Sequence, residues 1–359
     1  MRISPSDAII QDLLEPASRS LHERSVVDGS TAGKLFFEYA TFCTSQLEDQ
    51  HAIADTKRIE GLHRSKQKEA YQYVEAIANA KQRNDETAVK KLTKEWERAN
   101  KLENMDKVEL QRLHNLQQTF LRKAIENFLK CFAACNDFDH HVPKFCALWL
   151  KHSKQTAVNI AVADGLPAVP SYKFLSLMHQ LCSRLSIESS EFQNNLNDLL
   201  LRILNDHPYH AVHQFFSTIS SVGDSIALSR STAATKIADR LGHGHKVGRI
   251  SVKDISQRLG EQFSAYSDLA SVPIDKTAHP SSDISFSSFP ALRRFRSRSL
   301  AEFPLPPPSM KIAVSSERQY ANVPYIERYH HSFRIAGGVN QPKILESVLS
   351  DGSTFRELV

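Results

Sequence analysis

The sequence predicts a mainly α chain, an irregular α-solenoid followed by a small, incomplete antiparallel β-sheet. Three observations carry this. Apolar residues recur on helical spacing through most of residues 1–270. Glycine and proline are scarce, 12 and 15 among 359 residues, and many of them fall in the last third. Beyond residue 329 the spacing changes to period two, the repeat of a strand with one buried face.

Ser6 and Asp7 supply caps for a first helix, and the stretch beginning at Thr31 opens a second with Leu35, Phe36, Tyr39 and Phe42 on one side. Residues 46–102 are rich in Lys, Glu, Gln and Ala, with sparse apolar positions such as Ile59, Leu62, Tyr71 and Val74. No heptad is sustained there, so the segment reads as a solvated antiparallel hairpin rather than a coiled-coil partner site. Between 108 and 220 the apolar residues thicken, through Leu113, Leu116, Phe120 and Leu121 and then Ile125, Phe128, Leu129 and Phe132. This is the predicted core. Polar or proline-bearing breaks at 136–143, 164–171, 186–190 and 206–208 space the helices like helical-hairpin repeats, without a strict repeat motif. His207 and His210 beside Pro208 read as a structural helix start rather than as proton carriers. A loop at 241–248 holds His243 and His245, and a helix returns through Ile255, Leu259, Phe263 and Tyr266 despite Gly260.

Residues 271–309 are Pro/Ser-rich and predict a solvated linker. Its basic run, with Arg293, Arg294, Arg296 and Arg298 around Phe295, offers nucleic-acid contact or a phosphorylation context at Ser297 and Ser299 as alternatives to a plain loop. Residues 310–314 alternate as a strand, and Tyr325 to Tyr329 leads into the sheet. Three strands follow, at 332–335, 344–349 and 355–359. The junction Ala336-Gly337-Gly338-Val339-Asn340-Gln341-Pro342 pairs two glycines whose backbone N–H groups are able to face an anion. Taken alone it is an ordinary hairpin turn. Ser350-Asp351-Gly352 is a second turn.

The 41% hydrophobic content suffices for a core, and a net charge of +5 of mixed sign demands no general attraction to nucleic acid. The first 14 residues lack an uninterrupted apolar stretch, and nothing approaches the roughly 18 apolar residues of a membrane span. A cytosolic or nuclear chain, with no membrane association, is expected. The five cysteines, Cys43, Cys131, Cys135, Cys146 and Cys182, are odd in number and sit in helical patterns, which argues against a disulfide framework. Cys131, Cys135, His140, His141 and Cys146 carry zinc-ligand chemistry but no CxxC knuckle, so no metal site is assigned.

AGGVNQPKI, followed by SDG and FRELV, resembles the first catalytic-domain strands of the phosphatidylinositol-3-kinase-related protein kinases, most closely the ataxia-telangiectasia mutated (ATM) and fungal telomere-maintenance branch. FLRKAIENFLKCF (120–132), FCALWLKHS (145–153), VPSYKFLSLMHQL (169–181) and DHPYHAV (206–212) resemble the end of that family's helical FAT region, in the same order. The resemblance implies a FAT-type solenoid at 1–270, a linker at 271–309 and the start of a kinase domain at 310–359. It implies Gly337, Gly338, Val339, Asn340, Gln341, Pro342 and Lys343 as nucleotide-binding positions, Lys343 being also a plain solvent-facing strand start. No catalytic residue is assigned, because the family's lysine would follow Val359.

For the complete enzyme the resemblance implies transfer of the ATP γ-phosphoryl group, with Mg, to serine or threonine before glutamine. It further implies protein substrates, DNA-damage sensor partners, a dimer, a nuclear location and a role in DNA-damage and telomere signalling. Direct DNA contact stays open. This chain alone is expected to be inactive, and residues 310–359 alone to be poorly stable because their sheet leaves backbone unpaired. A non-enzymatic helical scaffold is the alternative reading.

Overall fold

The computed structural model describes residues 6–23, 28–220, 223–241, 246–247, 250–274, 283–296, 305–320, 322–336 and 340–359. They form two compact units, 1–169 and 170–359.

The first unit is helical: α1 (Ser6–Ile9), a π turn (Ile10–Leu14), α2 (Glu15–Glu23), α3 (Gly29–Glu48), α4 (Gln50–Gln82), α5 (Glu86–Ala134), α6 (Val142–Lys151) and α7 (Thr156–Gly165). Acidic caps start the long ones. Asp28 accepts from Thr31 N, Asp49 from His51 N and Asp85 from Ala88 N, each satisfying a first-turn donor that the helix itself leaves open. The predicted hairpin is α4 against α5, turned at Asn84, whose φ of 55° is the left-handed region Asn tolerates. Beyond the hairpin α5 enters the core, where Phe128, Phe132, Phe145 and Trp149 are fully buried. Phe132 and Phe145 meet edge-on at 6.0 Å.

The second unit begins with a 3-10 segment (Ser171–Leu177) and α8 (Met178–Cys182), where the sequence suggested more regular helix. Ser171 Oγ donates to the buried Asp206 carboxylate at 2.6 Å and holds that turn in place. Then come α9 (Glu191–Asp206), α10 (Pro208–Ile219), α11 (Ser225–Asp239), a two-residue pair β1 (Lys246–Val247) and β2 (Ile250–Ser251), and α12 (Val252–Ser271). Pro208 begins α10 because its fixed φ suits a first helical position that needs no N–H.

Gly260 in α12 marks a close crossing, since a Cβ there would stand 2.8 Å from the Phe216 ring of α10. Gly260→Leu is therefore expected to cost roughly 1–3 kcal/mol through overpacking. For Gly260→Ala the clash works against a helix-propensity gain of about 1 kcal/mol. A lower urea midpoint for the leucine variant, with the alanine variant nearer wild type, checks this.

The sheet has five strands: β3 (Ile284–Ser285), β4 (Ile326–Tyr329), β5 (Ser332–Ile335), β6 (Lys343–Leu349) and β7 (Thr354–Leu358), all antiparallel in their pairing. β6 is central. β4 and β5 share one of its edges, pairing at Tyr329↔Ser347 and Arg334↔Ile344, while β7 takes the other at Glu346↔Arg356. Gly352, with φ of 80°, makes the predicted turn between β6 and β7.

Two expectations fail here. Residues 283–296 are not a solvated linker: Ile284, Phe286, Leu292 and Phe295 are buried in the sheet's own core, with Phe286 stacked on Phe295 at 4.9 Å. A 3-10 segment (Pro290–Arg296) turns Leu292 and Phe295 inward and leaves Arg293, Arg294 and Arg296 outside. Arg298 lies outside the described residues. Residues 310–314 form no strand but an extended coil, because its backbone has gone elsewhere: the Ile312 carbonyl meets His210 Nε2 at 3.0 Å, and Val314 is exposed.

Candidate functional site

The β5–β6 hairpin carries the predicted nucleotide turn. Ala336 N donates to Pro342 O at 2.7 Å and closes its base, Gln341 takes a left-handed φ of 48°, and Asn340 is exposed. Gly337, Gly338 and Val339 lie outside the described residues.

Lys343 is committed elsewhere. It is 4% exposed, and its Nζ donates at 2.7 Å to the Ala270 carbonyl at the end of α12. A cation belongs there, since the last carbonyls of a helix are unsatisfied and carry the negative end of its dipole. Burial lowers the ammonium's pKa from its usual value. The residue proposed from sequence to face either phosphate or solvent thus anchors the turn to α12.

The face of the sheet away from the core shows what the sequence reading missed. Period two puts Ile344, Glu346 and Val348 of β6 there, opposite Leu358, Arg356 and Thr354 of β7. Leu358 is 66% exposed, so an apolar cross-strand pair, Ile344 with Leu358, stands on this face at the end of β6 nearest the glycine turn. The signal was present in FRELV, where Leu358 shares the parity of the exposed Thr354 and Arg356.

Next to this pair, Glu346 gathers three strands. Its Oε1 accepts from Arg334 of β5 and, at 2.9 Å, from Arg356 Nε of β7. Partial burial pushes the Glu346 carboxyl up, but the two guanidiniums outweigh it and hold its pKa below the usual carboxylate value. These charges fix the strand register and leave the apolar pair open.

On the core side, Glu357 of β7 is 4% exposed and fully engaged. Tyr266 donates to its Oε2 at 2.5 Å, while Ser309 donates to Oε1 through N at 3.0 Å and Oγ at 2.8 Å.

Elsewhere the chemistry is structural. His207 and His210 do sit at the start of α10, with His207 Nδ1 2.6 Å from Tyr320 Oη. His243 and His245 lie outside the described residues. His141 packs on Phe37 at 4.5 Å, and Cys135 Sγ fills the space where a Gly33 Cβ would be. Burial pushes the thiols of Cys43 and Cys146 up to about 12, which makes them inert. Among the described residues no group of three or more His, Cys, Asp or Glu is placed to hold a metal ion. Among them, too, no helix is long and apolar enough to cross a membrane.

No family model matches the chain. The serine/threonine-protein kinase tel1 of Emericella nidulans is 34% identical over 361 residues, 99% of this chain. A solved structure described as the FAT and kinase domain of CtTel1 superposes over 99% of the chain with a TM-score of 0.82 and 31% identity. The chain belongs to the Tel1/ATM kinase family. The serine-protein kinase ATM of Sus scrofa is 29% identical over 275 residues, 71% of the chain and 9% of that protein. The chain spans 12% of the length of the Emericella tel1 and 23% of the FAT and kinase domain structure. A structure described as a complete CtTel1 dimer with C2 symmetry matches at a TM-score of 0.82 and 31% identity, over all of this chain and 12% of that one, so dimers occur among Tel1 relatives. A helical body leading into a small antiparallel sheet is thus the Tel1-type arrangement that the motifs implied.

Proposed function

We propose that this chain is the part of an ATM-like serine/threonine protein kinase that joins the end of the FAT helices to the first strands of the catalytic domain. In this reading, 1–270 is FAT-type, 271–309 the connection and 310–359 the start of the kinase domain, with 283–296 serving as core for the latter. The complete protein transfers the ATP γ-phosphoryl group to Ser-Gln sites in nuclear DNA-damage and telomere signalling, and works with sensor proteins as a dimer.

The observation that carries this reading is the Ile344–Leu358 pair, with Leu358 exposed, beside the glycine turn, in a chain of Tel1/ATM descent. An adenine ring needs a flat apolar surface, and its phosphates need backbone donors. The pair supplies the surface. Gly337, Gly338, Val339, Asn340, Gln341 and Pro342 supply the turn, and Lys343 holds the turn's base through Ala270. Phosphoryl transfer itself depends on positioning and charge neutralisation, so the contribution of these residues is to seat the nucleotide.

The full-length protein, given Mg-ATP and a Ser-Gln peptide, is expected to transfer phosphate. Leu358→Asp is expected to lower kcat/KM by about 10-fold or more, the loss of one buried apolar contact. Absence of transfer by the wild type, or an unaltered rate in the variant, contradicts the reading.

A further inference from the structure

Residues 305–320 run as a strap of coil between two anchorages, and no helix or strand of their own explains their path. At one end the strap is tied to the sheet. Leu305 O accepts from Ile326 N at 2.8 Å, and Ser309 makes its two bonds to the buried Glu357 of β7. At the other end it is tied to the junction of α9 and α10. Arg318 Nη1 lies 3.2 Å from Asp206 Oδ1, Tyr320 Oη lies 2.6 Å from His207 Nδ1, and Ile312 O meets His210 Nε2. Arg318 is held there at a φ of 62°, a conformation that a non-glycine residue keeps only when its surroundings impose it.

From Ser309 to Ile312, the first junction contact, only two residues intervene, and the three chain steps reach at most about 11 Å in extended backbone. A tether this short transmits displacement instead of absorbing it. Both ends also fasten to buried polar groups, Asp206 and His207 at 5% and 1% exposure and Glu357 at 4%, and an opened bond there leaves a buried group unsatisfied.

We infer that the strap couples the α9–α10 junction to strand β7. Tyr320, Arg318 and Ser309 are the positioning residues: while the strap is clamped at the junction, Ser309 holds Glu357 and thereby fixes β7, whose opposite face carries Leu358. The consequence for nucleotide seating rests on the kinase reading. The coupling itself does not, and its test needs no nucleotide.

Hydrogen exchange of the 359-residue chain, read on peptides covering 354–359, provides that test. Tyr320→Phe keeps the ring and removes the hydroxyl that meets His207 and Ser315 N. Exchange in β7 is expected to rise by about fivefold, the factor for one ordinary hydrogen bond, with α9 unchanged. Ser309→Ala removes the Oγ bond to Glu357 and keeps the one from the backbone N, so it is expected to loosen β7 as well, and adding Tyr320→Phe to it is expected to give less than the sum of the two effects, because part of the strap's hold on Glu357 has already gone. Arg318→Ala cuts a separate bond to the same junction and is expected to act like Tyr320→Phe. It decides the matter if that variant fails to fold. Unchanged exchange at 354–359 in the junction variants, or effects that simply add in the double variant, overturns the coupling.

Discussion

Acidification from about pH 7 to about pH 4.5 is expected to destabilise residues 170–359 by several kcal/mol before most carboxylates titrate, because two histidines, His207 just before α10 and His213 within it, are held neutral. Burial pushes both His207 and His213 down to about 4 from the ordinary 6.5; for His207 the neighbouring Asp206 opposes the shift, while His210 and Arg318 add to it. Below 6.5 the unfolded chain takes up protons that the folded rings refuse. The stability contributed by the neutral rings is therefore complete above 6.5, declines as pH falls and is exhausted near 4. Linkage sets the upper figure at roughly 3 kcal/mol for each ring, against a typical total of about 5–15 kcal/mol. Urea unfolding followed at a series of pH values checks this. The midpoint for the sheet-bearing unit falls between about pH 6.5 and pH 5 if the rings titrate this way, and stays level if they are already charged when folded.

Trp149→Ala is expected to cost about 3–5 kcal/mol and to leave the 1–169 unit at the margin of folding. Trp149 is fully buried against Phe145, its ring 6.3 Å away, and its Nε1 donates to Asn159 Oδ1 at 3.3 Å. Truncation removes the apolar burial, opens a cavity and strips Asn159 of one partner in a buried setting, and these losses act in the same direction. Helical circular dichroism with denaturant measures the drop. Trp149→Phe, which keeps most of the volume, is expected to recover more than half of it. A midpoint for the alanine variant close to wild type contradicts the packing account.

The helical body was readable because its physics is local. The one-sided spacing of Leu116, Phe120 and Phe128 and the polar run through the hairpin are both properties of a single helix and its solvent. β5 and β7 were readable for the same reason, each alternating within itself, and β6 through its β-favouring composition. Contacts between distant segments were hidden. Phe286 and Phe295 are spaced among serines and arginines that look like a linker, and only the sheet that folds over them makes them core. The alternation of Lys311 and Ile312 suggested a strand, yet a strand needs a neighbouring edge, and the strap's carbonyl bonds to a histidine instead. In the candidate site, the glycine turn was legible as composition. The fate of Lys343 and the exposure of Leu358 were not, because the first depends on where α12 ends and the second on register against Ile344.

α5 runs without a break for 49 residues, from the hairpin tip at Asp85 to the core at Cys135. In the language of a zipper, its outer part has one partner, α4, and its inner part has the whole core. Opening therefore proceeds from the tip inward and stops where burial begins, with protection rising along one helix from Ala99 towards Phe132. A lesion such as proline is forgiven at the tip and ruinous some thirty residues further on, though the local helix is the same in both places.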